Sequence, residues 1–193
     1  MGLAVMILGL AVFGAAHVFT TRRAARAAVI ARIGENPYKA IYSLISLIGL
    51  ALIVYGFAQY RATGWIDLWH PPVWTRHLAA TLLLPGSIIL VAAYSRGYLA
   101  AMLKHPMLVA IKLWAVSHLL ANGDLGSMIL FGSFLGWAVF DRITLKRRAD
   151  SGTLPISTGG FSRDLIAVVG GIALYLGIVL WFHPAVIGVP VFG

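Results

Sequence analysis

The 193-residue sequence contains no cysteine and only six acidic residues. Without cysteine there is no disulfide framework, thiolate metal site or thiol nucleophile, so histidine and carboxylate remain as the strong metal ligands. Charged residues make up 11% of the chain and hydrophobic residues 60%, against about 25% and about 45–50% in soluble proteins. These proportions exclude a soluble globular domain, and the sequence predicts an all-α integral membrane protein.

Long runs without charge predict a bundle of six transmembrane helices, because about 20 apolar residues cross the ~30 Å hydrocarbon core. The fourth and fifth spans are short and are joined through residues 122–124, which predicts a tight helical hairpin. No basic segment precedes the first span, so we expect a retained helix rather than a signal peptide. We expect a single domain over residues 1–193. The predicted spans lie near 2–21, 38–58, 76–95, 106–122, 125–141 and 164–183.

Basic side chains account for the net charge of +9 and are distributed unevenly between the connections. The loops after the first, third and fifth spans carry five, two and five Lys or Arg, whereas the other side carries Arg61 and Arg76. Over short loops this asymmetry predicts that the basic loops are cytoplasmic and that both termini lie outside. The expected partner of the positive charge is therefore the lipid bilayer, not nucleic acid.

Ionisable side chains inside a bilayer are costly and by default mark a functional site. Lys112 lies about 10 Å beyond the start of the fourth span by helical rise, which is too deep for a surface lysine. We expect it to pair with Asp141 of the fifth span, the alternative being an anionic cofactor group such as a haem propionate. The other ionisable residues in or at the ends of the spans are His17, His77, His105, His118 and His183.

Two histidines, His17 and His118, fall within apolar helix rather than at the ends of spans. Helical rise from the nearest polar boundary puts their heights about 14 Å apart. Their Cα–Cβ bonds tilt towards each other, so this spacing is compatible with two axial imidazoles on one macrocycle near the membrane plane. His105 is rotated about 220° from His118 on the helix and cannot serve the same site.

Six motifs follow one another along most of the chain. They are Ala16-His17, residues 32–39, Trp69 with residues 71–77, residues 104–107, residues 112–124, and residues 140–142. Together they resemble the NnrU family of bacterial membrane proteins. The resemblance implies a place in the bacterial inner membrane and a link to nitrite and nitric oxide reduction. It also implies a relationship to the plant and cyanobacterial isomerase that turns the central cis double bond of zeta-carotene.

The resemblance implies a haem b held by histidines and used as a Lewis acid. The essential pair of the isomerase falls on His17 and His118, with Lys112 and Trp114 as further cofactor-binding residues; His77, His105 and His183 are alternates. Such a haem equally suits electron transfer or gas sensing. The expected partners are a nitrogen-oxide respiratory component or an apolar small molecule, for which tryptophans in the fourth and fifth spans would line a groove.

A second resemblance competes with the first. Lys104-His105-Pro106 is similar to the Arg-His-Pro motif with which membrane methyltransferases bind S-adenosylmethionine. Those enzymes also carry paired glutamates near the carboxy terminus. Here the acidic residues after Asn122 are Asp124, Asp141, Asp150 and Asp164. A cofactor-free assembly partner of a reductase is the third alternative.

Overall fold

The computed structural model describes residues 1–149 and 159–192, which are almost entirely helical and form no β-strand within those ranges. The last α-helix, α8 (Phe161–Gly177), continues directly into a π-helical segment, Ile178–Ile187. The α-helices are α1 (Gly2–Thr21), α2 (Arg23–Ile33), α3 (Glu35–Thr63), α4 (Val73–Ser95), α5 (Tyr98–Leu103), α6 (Pro106–Ala121), α7 (Leu125–Ala149) and α8 (Phe161–Gly177).

Five helical segments in these ranges are long and apolar enough to cross a membrane, which supports a multi-pass membrane protein. They are α1, α3, α4, α7 and α8 with its π-helical extension. The remaining predicted span, the fourth at 106–122, corresponds to α6, which has only 16 residues. The six-span count is therefore not confirmed, and the orientation of the termini stays a prediction.

Two features of the connections differ from the predicted pattern. The helix α7 is 25 residues long, so only the first helix of the predicted hairpin is short. It runs on past Asp141 through a basic segment, because Lys and Arg are good helix formers whose charged ends reach back to water. The basic segment after α1 is also helical, as α2, since alanine and arginine dominate it.

The helix surfaces suit lipid rather than water. Only 17–28% of each membrane-spanning window is buried, and large apolar side chains such as Leu47, Val54 and Leu180 are exposed. Exposed apolar surface on this scale marks contact with another apolar phase. The structure thus supports contact with a bilayer.

The chain divides into two compact units. Unit 1 contains Met1–Trp69 and Asp124–Ser133, and unit 2 contains His70–Gly123 and the described residues from Phe134 onward. The helix α7 begins in unit 1 and continues into unit 2. The prediction of one domain over residues 1–193 stays a prediction.

In unit 1, α1 and α3 pack backbone against backbone through glycine. A Cβ on Gly9 would lie 2.6 Å from the backbone N of Ile53, and one on Gly49 would lie 2.8 Å from the backbone N of Phe13. No side chain fits at such distances, so glycine permits the close approach of the two helices. This contact fixes the register of α1 on α3 around Phe13, one helical turn before His17.

The start of α7 in unit 1 is tied to the loop after α3. The buried Tyr60 hydroxyl accepts the backbone N–H of Ile66 at 3.0 Å, and the carbonyl of Ile66 accepts the N–H of Leu125 at 2.9 Å. The carboxylate of Asp124 caps α7 by accepting the N–H of Ser127 at 2.9 Å. These bonds satisfy backbone groups that a helix start leaves unpaired.

In unit 2, α4 packs against α6 and α8, and α5 is tied to the start of α8 by a side chain. Asp164 of α8 accepts the backbone N–H of Tyr98 at 3.1 Å and that of Leu99 at 3.0 Å. A Cβ on Gly97 would overlap this carboxylate, so the residue before α5 must be glycine. One carboxylate thus satisfies two donors at the start of α5.

Candidate functional site

His17 lies in the last turns of α1 and is partly buried, with its Nδ1 2.8 Å from the carbonyl oxygen of Phe13. A carbonyl only accepts hydrogen bonds, so Nδ1 carries the proton. In the neutral ring the lone pair is therefore on Nε2. This is the tautomer in which an imidazole ligates a metal through Nε2.

Aromatic rings surround His17 within unit 1. The ring of Phe13 stacks on the imidazole at a centroid distance of 4.0 Å and an angle of 24°. Tyr42 of α3 lies on it at 5.5 Å, and Tyr38 stacks on Tyr42 at 6.5 Å. The imidazole is thus held in an aromatic column that joins α1 to α3.

His118 of α6 repeats the same local arrangement in unit 2. Its Nδ1 lies 2.8 Å from the carbonyl oxygen of Trp114, so Nδ1 is again the donor and Nε2 carries the lone pair of the neutral ring. The indole of Trp114 lies 5.2 Å from the imidazole and meets Phe134 edge-on at 5.4 Å. Asn122 fixes the end of the helix by donating its side-chain amide to the carbonyl of His118 at 2.8 Å.

His183, an alternate ligand in the sequence analysis, lies beside His118, a closeness that the sequence did not predict. Their ring centroids are 6.2 Å apart with an angle of 35° between the planes. His183 lies in the π-helical segment, and such segments often occur at functional sites. The next residue, Pro184, lacks a backbone N–H and cannot make the regular helical bond. A His-Pro pair within an apolar run was the available signal for this irregular turn.

The predicted ion pair between Lys112 and Asp141 is wrong: none joins them in the part of the chain that the structure describes. Asp141 acts instead on His105, which precedes α6. Burial lowers the pKa of His105, the positive charge of Arg142 lowers it further, and the negative charge of Asp141 opposes both. His105 and Lys112 are seven residues apart, about 10 Å of helical rise. Asp141 of α7 therefore lies near the start of α6, at the height of His105 and not at the height of Lys112. A difference in height along the helix axis, and not only the rotation of the helix, separates Asp141 from Lys112.

Two of the four aspartates that would replace the paired glutamates of a methyltransferase cap helices. Asp124 caps α7, and Asp164 caps α5. Asp150 lies outside the described residues. Among the described aspartates, Asp141 is the one that acts on His105 of the Lys104-His105-Pro106 motif, so no pair of carboxylates is seen there within the described residues.

The remaining predicted ligand, His77, is exposed on the first turns of α4. Within residues 1–149 and 159–192 no group of three or more His, Asp or Glu could hold a metal ion.

The family model of NnrU proteins matches residues 5–191 of this chain, a range that includes the surroundings of both His17 and His118. No curated protein and no solved structure matches the chain.

Proposed function

Because the chain belongs to the NnrU family, we propose that it is a bacterial inner-membrane protein that binds haem b with His17 and His118 as ligands. One observation carries the proposal. Each imidazole donates Nδ1–H to the carbonyl of the residue four positions earlier at 2.8 Å. Histidines that bind metals commonly donate their other N–H in this way, which fixes the ring orientation and raises the basicity of the ligating nitrogen.

The surroundings of each histidine also suit an apolar macrocycle. Phe13 and Tyr42 lie against His17, and Trp114 lies against His118. Aromatic rings exclude water and provide an apolar lining of the kind that small-molecule and cofactor sites have. Each imidazole therefore lies in an apolar setting.

When bound, haem b would supply Lewis-acid or one-electron chemistry. The histidines would hold and orient the haem, and Trp114 would provide an apolar wall for a substrate. The proposed role lies in nitrite and nitric oxide metabolism. Isomerase-like chemistry on an apolar substrate such as a polyene is the alternative role for the same residues.

The test is an absorption spectrum of the protein purified in mild detergent from cells grown with ample haem. We expect a Soret band and, after reduction, a sharp α-band. His17→Ala and His118→Ala should each abolish most of the signal. His70→Ala, which removes an exposed histidine between α3 and α4, is the matched control and should retain it. A colourless wild-type preparation would overturn the proposal.

The same preparation tests the methyltransferase alternative. Calorimetric binding of S-adenosylmethionine that depends on Lys104 and His105, but not on His17, would replace the haem proposal. An alkaline phosphatase fused to the carboxy terminus tests the orientation. We expect it to be active, since the distribution of Lys and Arg predicts that this terminus lies outside.

A further inference from the structure

The side chains of α2 divide into a covered face and an exposed one. Arg26, Val29 and Ile30 are partly covered, whereas most other residues of the helix are exposed. Their spacing of three and four residues is the spacing of one helix face. Arg26 therefore occupies a position on the packed face, where an apolar residue is normal and an unpaired guanidinium is costly.

The partner of Arg26 across this face is an aromatic ring. The Cζ of Arg26 lies 5.6 Å from the centroid of Tyr38, a residue of α3 that is 7% exposed. The Nε of Arg26 and the hydroxyl of Tyr38 are both buried, and neither has a hydrogen-bond partner among the described residues. Two residues in contact through the ring thus each have a buried donor without an acceptor among the described residues, and native proteins rarely leave such groups unsatisfied.

The carboxylate nearest in sequence does not supply that acceptor. Glu35 is exposed and pairs with Lys39 at 2.8 Å. Glu35 still acts on Arg26 through its charge, but positive charge prevails, because Arg22, Arg23 and Arg32 are exposed on the rest of α2 and its approaches. An anion from outside the chain would be attracted to this end of unit 1.

We propose that Arg26 and Tyr38 form a binding site for the phosphate of an anionic phospholipid at the junction of α1, α2 and α3. The guanidinium donates a charge-assisted hydrogen bond to a phosphate oxygen, and the tyrosine hydroxyl donates a second. This lipid site is independent of the proposed haem.

The position of the pair favours a lipid over other anions. The helix α2 follows the membrane-spanning α1 directly, and its exposed face carries basic residues beside the exposed Ile33. A basic helix beside a membrane span meets the headgroups of anionic lipids. The phosphate of such a lipid lies at this level of the bilayer, with its acyl chains along the apolar surfaces of α1 and α3.

The test is titration of phosphatidylglycerol into the purified protein in neutral detergent, with bound lipid counted by native mass spectrometry. We expect Arg26→Gln to weaken binding roughly tenfold, the equivalent of one charge-assisted hydrogen bond. Tyr38→Phe keeps the buried ring and removes only the hydroxyl, so it should weaken binding severalfold without loss of folding. Phosphatidylcholine should bind more weakly than phosphatidylglycerol.

Arg23→Gln is the matched control, because it removes an exposed charge from the same helix. It should change binding less than twofold. An equal loss in Arg23→Gln and Arg26→Gln would show diffuse attraction to the basic helix and overturn the proposal. Inorganic phosphate that displaces the lipid at equal concentration would identify a site for free anions and overturn it too.

Haem content is recorded in parallel for each variant. Unchanged lipid binding in Arg26→Gln together with loss of haem would assign the pair to a haem carboxylate, and the lipid site would be rejected. Because the lipid titration does not depend on haem, a colourless protein that shows the expected lipid losses would reject only the proposed function.

Discussion

His17 in unit 1 and His118 in unit 2 make the same hydrogen bond, but different contacts hold the helices that carry them. In unit 1, α1 approaches the backbone of α3 at Gly9 and Gly49, where no side chain fits. In unit 2, α6 meets α4 at ordinary distance, since a Cβ on Gly86 would lie 3.4 Å from the Cβ of Leu113. Elsewhere in unit 2, a Cβ on Gly171 of α8 would overlap the backbone of α4, and Asp164 caps the start of α5. The hydrogen bond itself is local to a helix. The difference teaches that the helix of His17 should be sensitive to added atoms, whereas unit 2 should respond to atoms added at Gly171 and to the loss of the Asp164 carboxylate.

The largest effect is expected where an atom is added to the contact between α1 and α3. Gly9→Ala would put a Cβ 2.6 Å from the backbone N of Ile53, and backbone cannot move aside cheaply. We expect the free energy of unfolding to fall by about 1–3 kcal/mol. Unfolding in detergent, followed by circular dichroism, measures it.

The control is Gly14→Ala in the same helix, where an added Cβ meets nothing within 4 Å. It should leave stability unchanged or raise it slightly, because alanine favours helix over glycine. Equal losses in both variants would mean that glycine in α1 matters for some reason other than close packing, and the comparison of the units would fail.

Unit 2 should respond next most strongly to the loss of a carboxylate. Asp164→Ala leaves the backbone N–H groups of Tyr98 and Leu99 without their acceptor, so we expect a loss of about 1 kcal/mol of unfolding free energy. Asp164→Asn keeps one acceptor oxygen and should lose roughly half as much. Unfolding in detergent, followed by circular dichroism, measures this loss too. An unchanged free energy of unfolding in Asp164→Ala would show that the cap does not stabilise unit 2.

A smaller effect is expected at the histidine pair of unit 2. His183→Phe keeps a ring beside His118 and removes both ring nitrogens. Since the proposed ligands are His17 and His118, haem content should fall less than twofold, as measured by the Soret absorbance per protein. A loss as complete as that of His118→Ala would instead make His183 a ligand.

Much of the fold follows from hydropathy. The first predicted span, 2–21, coincides with α1, and the third, 76–95, ends with α4 at Ser95. A charged residue stands directly after each of these helices, and the end of an apolar run is a local signal. The length of α7 was missed because basic residues end an apolar run without ending a helix. The family resemblance is confirmed by the matching family model.

The candidate site was less accessible to sequence reasoning. The hydrogen bonds of His17 and His118 need only an intact helix. Depth in an apolar run was enough to single out these two residues, and their role as ligands stays a prediction. The closeness of His183 to His118 depends on how α8 packs and on the π-helical turn at Pro184. The same applies to Asp141, which acts on His105 rather than on Lys112. Contacts between helices depend on how each helix is rotated towards its neighbour and on the relative heights of the two helices. A single sequence gives neither of these relations between helices.

The smallest effect is a pH dependence confined to unit 2, where His105 lies beside charged groups. Burial, Arg142 and Lys104 lower its pKa below the ordinary value of 6.5, with Asp141 opposing them. The unfolded chain therefore binds more protons than the folded one as the pH falls below about 6.5. Above about pH 6.5 His105 is neutral in both states and does not lower the free energy of unfolding. As the pH falls below that value, proton binding to His105 in the unfolded chain lowers the free energy of unfolding. His105→Gln should flatten the fall in unfolding temperature between about pH 6.5 and 5, whereas the exposed His70→Gln should not. An unchanged slope in His105→Gln would show that acid destabilises unit 2 through other groups.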